Sequence, residues 1–274
     1  MIGVLIAVVV LLTGCEQNFF PTDERNVIAL ANTQRHEVIQ QTRAAAYLVY
    51  PDTPDPSVLE DETFLEAAQV TRATGTAVGV SDDGLVFTNA HVVMDTYCTA
   101  AGHPAIALRK EKKQETYCTL FTQTYKRAFR ARLIHLDEVE DVAVLRIEGV
   151  VAPLPHLKIA EWGTFTEGAE VLTVGSPLGN ENFTTVGHIS NLDFIKADDE
   201  KKTKRIRFNA NIQPGNSGGA LVDVATGKIV GLVFAVVAAR VINPNGGVTP
   251  ISTNIAFAVR ADVLTEILHK IQQK

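Results

Sequence analysis

Along this chain, apolar residues gather in short runs broken by Gly, Pro, Asn and Asp, which is the pattern of many short strands rather than long helices. Residues 44–50 form the first such run. Residues 75–93 hold two more, joined by the turn-forming triplet Asp82-Asp83-Gly84. Further strands are expected at 128–136 and 141–147, and then at 171–174, 184–192, 205–212, 220–224, 228–236 and 254–259. Two segments have helical spacing instead. Residues 23–43 place Val27, Ile28, Ala31, Val38 and Ile39 roughly on one stripe, and residues 261–271 place Val263, Leu264, Ile267 and Leu268 on one face. Residues 51–66 are acidic and proline-rich and read as an exposed loop. Residues 94–127 lack a clean period and mix charges with aromatics, so a long loop is expected there.

At 274 residues the chain is long enough to bury a large core. Its net charge of −6 argues against nucleic acid as a partner. The one dense basic run, 201–207, directly follows Asp198-Asp199-Glu200 and reads as a solvated loop.

The unbroken apolar run 4–12 is too short to cross a bilayer, which takes about 20 helical residues. It fits the apolar core of an export signal. Leu12-Thr13-Gly14-Cys15 resembles the bacterial lipobox, in which cleavage leaves a lipidated cysteine, here Cys15. No Lys or Arg precedes the run, which departs from the usual export signal. A signal segment at 1–14 and attachment to the membrane through lipid on Cys15 are the expectations. Of the three cysteines, Cys98 and Cys118 then remain as an even pair, expected to form a disulfide in an oxidising envelope compartment. None of the seven histidines has the close spacing of a zinc site, so neither metal nor cofactor is expected.

The candidate chemistry centres on 208–221, F-N-A-N-I-Q-P-G-N-S-G-G-A-L. Asn209, Asn211 and Gln213 alternate with Ala210 and Ile212, and then Pro214 leads into a glycine-rich turn around Ser217. Such glycines open backbone conformations closed to other residues and let a substrate chain come near. The peptide N–H groups of the turn can converge on a developing oxyanion. A serine of ordinary acidity needs a base, and the base needs a partner. His91 ends the apolar run 85–90, and Asp141 opens a β-prone strand.

T-N-A-H-V-V at 88–93, D-V-A-V-L-R-I at 141–147 and Q-P-G-N-S-G-G-A-L at 213–221 resemble, in order and spacing, the HtrA/Deg family of trypsin-like serine proteases. Residues 75–84, 174–179 and 254–259 match it too, so the resemblance runs from about 44 to 260. It implies an all-β fold of two antiparallel six-stranded β-barrels, at 44–150 and 151–260. A helical stalk at 15–43 and a closing helix at 261–274 flank them. It also implies His91 as base, Asp141 as its orienter, Ser217 as nucleophile, and an oxyanion hole from the N–H groups of Gly215 and Ser217 with Asn216 between them. By the same resemblance Asn211 lies near the base of the primary specificity pocket, and Phe234, Ala235 and Val236 line its wall. Unfolded proteins or peptides are the implied substrates. Family members often use the N-terminal region for trimer contacts, so a homotrimer is one implied assembly. With about fourteen residues after the barrels, no peptide-binding PDZ domain is expected in this sequence.

Two other readings compete. The α/β-hydrolases share G-x-S-x-G but require Ser, acid and His in that order, and only His269 follows Ser217. A silent pseudoprotease that binds exposed peptide is the other, and the presence of all three side chains weighs against it.

Overall fold

The computed structural model describes residues 24–50, 73–94, 116–175, 183–195, 203–242 and 248–273, with side chains of 24–30 and 235–252 left out. The elements are α1 (Glu24–Ala45), β1 (Ala46–Tyr50), β2 (Gly75–Gly79), β3 (Leu85–Thr88), α2 (Ala90–Met94), β4 (Tyr117–Thr122), β5 (Arg127–Asp137) and β6 (Val142–Ile147). They continue with β7 (Glu170–Gly175), β8 (Phe183–Ile195), β9 (Lys204–Asn209), β10 (Ala220–Asp223), β11 (Ile229–Ile242), β12 (Val248–Arg260) and α3 (Ala261–Gln272).

The strands close into two antiparallel barrels, β1-β2-β3-β6-β5-β4 and β10-β11-β12-β9-β8-β7. Closure leaves no unpaired edge for another chain to join. With the barrel interior on one face and neighbouring elements on the other, β2, β3 and β10 are buried along their whole length, and β6 everywhere but Arg146. On β6, Ala143, Leu145 and Ile147 fill the first barrel, whereas Val142 and Val144 belong to a second cluster between the barrels. Leu221 on β10 points into the second barrel, and its neighbours Ala220 and Val222 face the same shared cluster. Leu264 and Ile267 of α3 and Val38 of α1 complete that cluster.

Four local differences from the sequence reading stand out. His91 ends no strand. β3 stops at Thr88, and one helical turn, α2, carries the histidine. Within the expected long loop, Tyr117–Thr122 is a strand that pairs with both β1 and β5 and closes the first barrel. The second half of α1 also does not stand free as a stalk. Arg35 bonds Glu170 on β7 at 2.7 Å, and Gln34 donates to the Ala225 carbonyl at 2.7 Å. β9 ends at Asn209, short of the expected 212, although Ala210 and Ile212 are buried and Asn209, Asn211 and Gln213 exposed as the alternation required.

Cys118 is buried on β4 among the residues that fill the first barrel. Cys98 and the segment around Cys15 lie outside the described residues. Among the described residues no helix is long and apolar enough to cross a membrane.

Tyr47 in the first barrel's core gives a pH prediction. Burial, with a smaller contribution from the charge of Tyr125, pushes its phenol up to about 12. The folded state therefore favours the neutral phenol. The stability this contributes is fully present below pH 10 and is lost as pH rises toward 12, because the unfolded chain ionises first. Denaturant titrations from pH 9 to 12 should show a fall of roughly 2–3 kcal/mol from this group, and Tyr47→Phe should flatten that slope, leaving the smaller part due to Tyr50, whose phenol is also raised.

Candidate active site

His91 and Asp141 meet across the first barrel. Asp141 Oδ1 accepts the peptide N–H of His91 at 3.0 Å, and Oδ2 lies 2.8 Å from Nδ1 of the same imidazole. One carboxylate thus holds both the backbone and the ring of His91. The placement depends on Asp141 itself, which lies before β6 with a left-handed backbone, φ 58°. That conformation is uncommon for a residue with a Cβ and costs of order 1 kcal/mol or more unless its surroundings enforce it. Two contacts do so. Asn89 Nδ2 donates to the Asp141 carbonyl at 2.9 Å, and Asp137 Oδ1 accepts the N–H groups of Val139 and Glu140, each at 3.0 Å.

Ser217 comes from the second barrel, on the turn between β9 and β10. Gly215 and Gly218 take φ of 106° and 83°, values open mainly to glycine. The turn is fastened to the first barrel by Thr76 on β2. Its N–H donates to the Ser217 carbonyl at 2.8 Å and its hydroxyl to the Gly215 carbonyl at 2.6 Å. Contact is so close that a Cβ on Gly218 would stand 2.1 Å from the Thr76 oxygen, 2.2 Å from the Thr88 hydroxyl and 3.1 Å from the Asn89 nitrogen. The serine turn and the turn leading to His91 therefore share one wall.

The Ser217 hydroxyl donates to the Phe234 carbonyl at 3.4 Å, and no hydrogen bond joins it to His91. Hydrogen bonds of this kind are often long before substrate arrives. Within the turn, the N–H groups of Asn216, Gly218 and Gly219 donate to Gln213, Val233 and Asn216 carbonyls. Those of Gly215 and Ser217 have no acceptor among the described residues. Asn216 is buried and packs against Gly175, where a Cβ would lie 2.9 Å from its side-chain carbonyl carbon.

Asn211 is exposed just beyond β9, its carbonyl accepting from Thr185 at 3.4 Å. Phe234 presents its carbonyl to Ser217 while its ring lies 6.2 Å from the ring of Phe257. Ala235 and Val236 continue β11, with side chains outside the described set. Among the described residues no group of three His, Cys, Asp or Glu side chains is placed to hold a metal. Sequence reasoning passed over Thr76 and Asn89 as individual residues, although both lie inside motifs it had marked. Their neighbours there, Gly75 and His91, were the available signal.

Known proteins resemble this chain in sequence and in fold. A family model for the trypsin-like peptidase domain matches residues 75–232, from β2 into β11. The chain is 28% identical over 209 residues to the mitochondrial serine protease HTRA2 of Bos taurus, covering 75% of this chain and 38% of that protein. It is 30% identical over 199 residues to a protein of Hahella chejuensis named "Probable periplasmic serine endoprotease DegP-like", covering 73% and 36%. The chain thus spans little more than a third of the length of these curated relatives. A solved structure of the HtrA-type protease AlgW with a decapeptide has the same fold, with a TM-score of 0.62, 23% identity, and coverage of 87% of this chain and 67% of that one. The match spans more than half of the chain and includes Thr76, His91, Asp141 and Ser217, so the protein belongs to the trypsin-like peptidase family, as a member of the HtrA/Deg type.

Proposed function

We propose that this chain is a serine endopeptidase of the bacterial envelope that cleaves unfolded or damaged proteins, with Ser217, His91 and Asp141 as its triad. The observation that carries the reading is the two-oxygen hold of Asp141 on His91 beside the serine turn. With its Nδ1–H donated to Asp141, the imidazole has Nε2 left as an acceptor, the tautomer a general base requires. On substrate binding the Ser217 hydroxyl turns from Phe234 toward Nε2, gives up its proton there and attacks the scissile carbonyl carbon. The carbonyl oxygen takes the electron pair and is stabilised by the N–H groups of Gly215 and Ser217. His91 returns the proton to the departing amine, and water, deprotonated by the same imidazole, releases the acyl group from Ser217.

The unfolded-protein substrate is what the family resemblance implies, and the periplasmic setting is supported by the relative named as periplasmic and by the signal-like N-terminus. Cys15 is the attachment point for lipid in this reading. A Cys98–Cys118 disulfide suits the same oxidising compartment.

With unfolded casein as substrate, Ser217→Ala and His91→Ala should each lower kcat by about 10⁴-fold or more, since these groups act as a unit. Wild-type rates in Ser217→Ala would end the serine-protease reading.

Asn211, Phe234, Ala235 and Val236 offer no carboxylate to a Lys or Arg side chain. Cleavage should therefore follow small or medium apolar residues, as read by mass spectrometry of peptide-library products. A profile dominated by basic residues before the cut would overturn the pocket assignment.

For the anchor, Cys15→Ala should move the protein from the membrane to the soluble fraction, because lipobox processing supplies the two or more acyl chains that stable residence needs. An intact N-terminus at Met1 with unmodified mass would argue for a retained apolar segment instead.

A further inference from the structure

A buried arginine from the second barrel reaches the turn that presents Asp141. Arg205 stands on β9 with only 8% of its side chain exposed. Its Nη1 donates to Glu140 Oε2 at 2.5 Å, and its Nη2 approaches the Val139 and Glu140 carbonyls at 3.5 Å. Glu140 directly precedes Asp141. The guanidinium carbon also lies 5.2 Å from the centre of the Phe234 ring, and Phe234 is the residue whose carbonyl receives the Ser217 hydroxyl. One rigid cation therefore touches both the acid's turn on the first barrel and the serine's neighbour on the second.

Burying a guanidinium is costly unless its partner is well placed, so a fold gains nothing from this position by default. The protein contains an internal comparison. Arg260 is equally buried, pairs with Asp193 and Asp262, and lies 3.8 Å over the Trp162 ring. None of those partners touches His91, Asp141 or Ser217, and Arg260 fastens the start of α3. Arg205 uses the same chemistry at a different place. Its partner sits one residue from a left-handed aspartate, in a turn that Asp137 and Asn89 also help to shape. A fork-shaped donor on a packed strand suits a fixed geometry better than a flexible ammonium would.

We propose that Arg205 is a positioning residue, which through Glu140 fixes the 137–141 turn against the second barrel and so sets Asp141, and with it His91, relative to Ser217. The proposal rests on reading those three residues as the triad.

The test uses the full chain as wild type, Arg205→Met, Arg205→Lys, Glu140→Gln, the Arg205→Met/Glu140→Gln double variant and Arg260→Met. Steady-state kinetics on a short peptide and the downfield NMR signal of the His91 Nδ1 proton are measured for each. Arg205→Met keeps an unbranched apolar side chain in the buried site, and Glu140→Gln alters only a partly exposed group, so one or other reports even if a variant folds poorly. Arg205→Met should lower kcat by roughly 10–100-fold, the scale of a misplacement near 1 Å, with KM changed by no more than about threefold. Arg205→Lys should recover part of the rate. The double variant should be no worse than Arg205→Met alone, because the two residues act through one contact. The His91 proton should shift or broaden in Arg205→Met and Glu140→Gln. Arg260→Met should lose thermal stability with kcat and the His91 signal unmoved. A kcat within twofold of wild type in Arg205→Met, or an unmoved His91 signal, overturns the proposal. The NMR arm needs no turnover, so it decides the proposal even where wild type cleaves no faster than Ser217→Ala, the separate result that sinks the protease reading.

Discussion

The proposed chemistry needs three side chains from two rigid barrels to come within mutual reach, and the contact on which this depends is the clamp of Thr76 on the serine turn. Its N–H and hydroxyl fasten the Ser217 and Gly215 carbonyls, one on each side of Asn216. Gly218 closes the same contact from the other side, in space too small for a Cβ. The rest of the fold can be read as support for that junction. β2 and β3 are buried on both faces because one face fills a barrel and the other meets its neighbour. The segment between the barrels is stitched to both. The Leu157 N–H donates to the Gly79 carbonyl, the Ala160 N–H donates to the Ile229 carbonyl on β11, and the Ile229 N–H donates to the Lys158 carbonyl.

Asp141 holds His91 from a backbone conformation that most residues avoid. Strain of that kind persists where several neighbours enforce it, and it is often found where function needs a fixed aim. Asn89, Asp137 and Arg205 are the enforcing neighbours here, drawn from the turn after β3, the end of β5 and β9. Precision at the base is therefore a property of both barrels together, although His91 and Asp141 belong to the first.

Much of this was legible in the sequence because the motifs record local backbone needs. Glycines on either side of Ser217 state that the turn takes positive φ, and 215 and 218 do. Alternation through 209–213 states which side chains face the core, and Ala210 and Ile212 are buried even though the strand has already ended. What was hidden depends on partners distant in sequence. Tyr117–Thr122 is a strand because β1 and β5 flank it, and no local period announces this among the charges around it. His91 leaves the strand direction because the chain must turn at Asn89 to meet the carboxylate of Asp141. The left-handed aspartate and the reach of Arg205 to Glu140 have no local signature at all.

The central claim is that His91, held by Asp141, activates Ser217. Intact-mass and peptide-mapping analysis after treatment with a fluorophosphonate, which phosphonylates activated serines, tests it without knowledge of the natural substrate. The account predicts one adduct, on the peptide that contains Ser217, and its loss in a folded His91→Ala variant. An unlabelled wild-type protein under conditions that fully label trypsin, or an adduct that persists without His91, would contradict it.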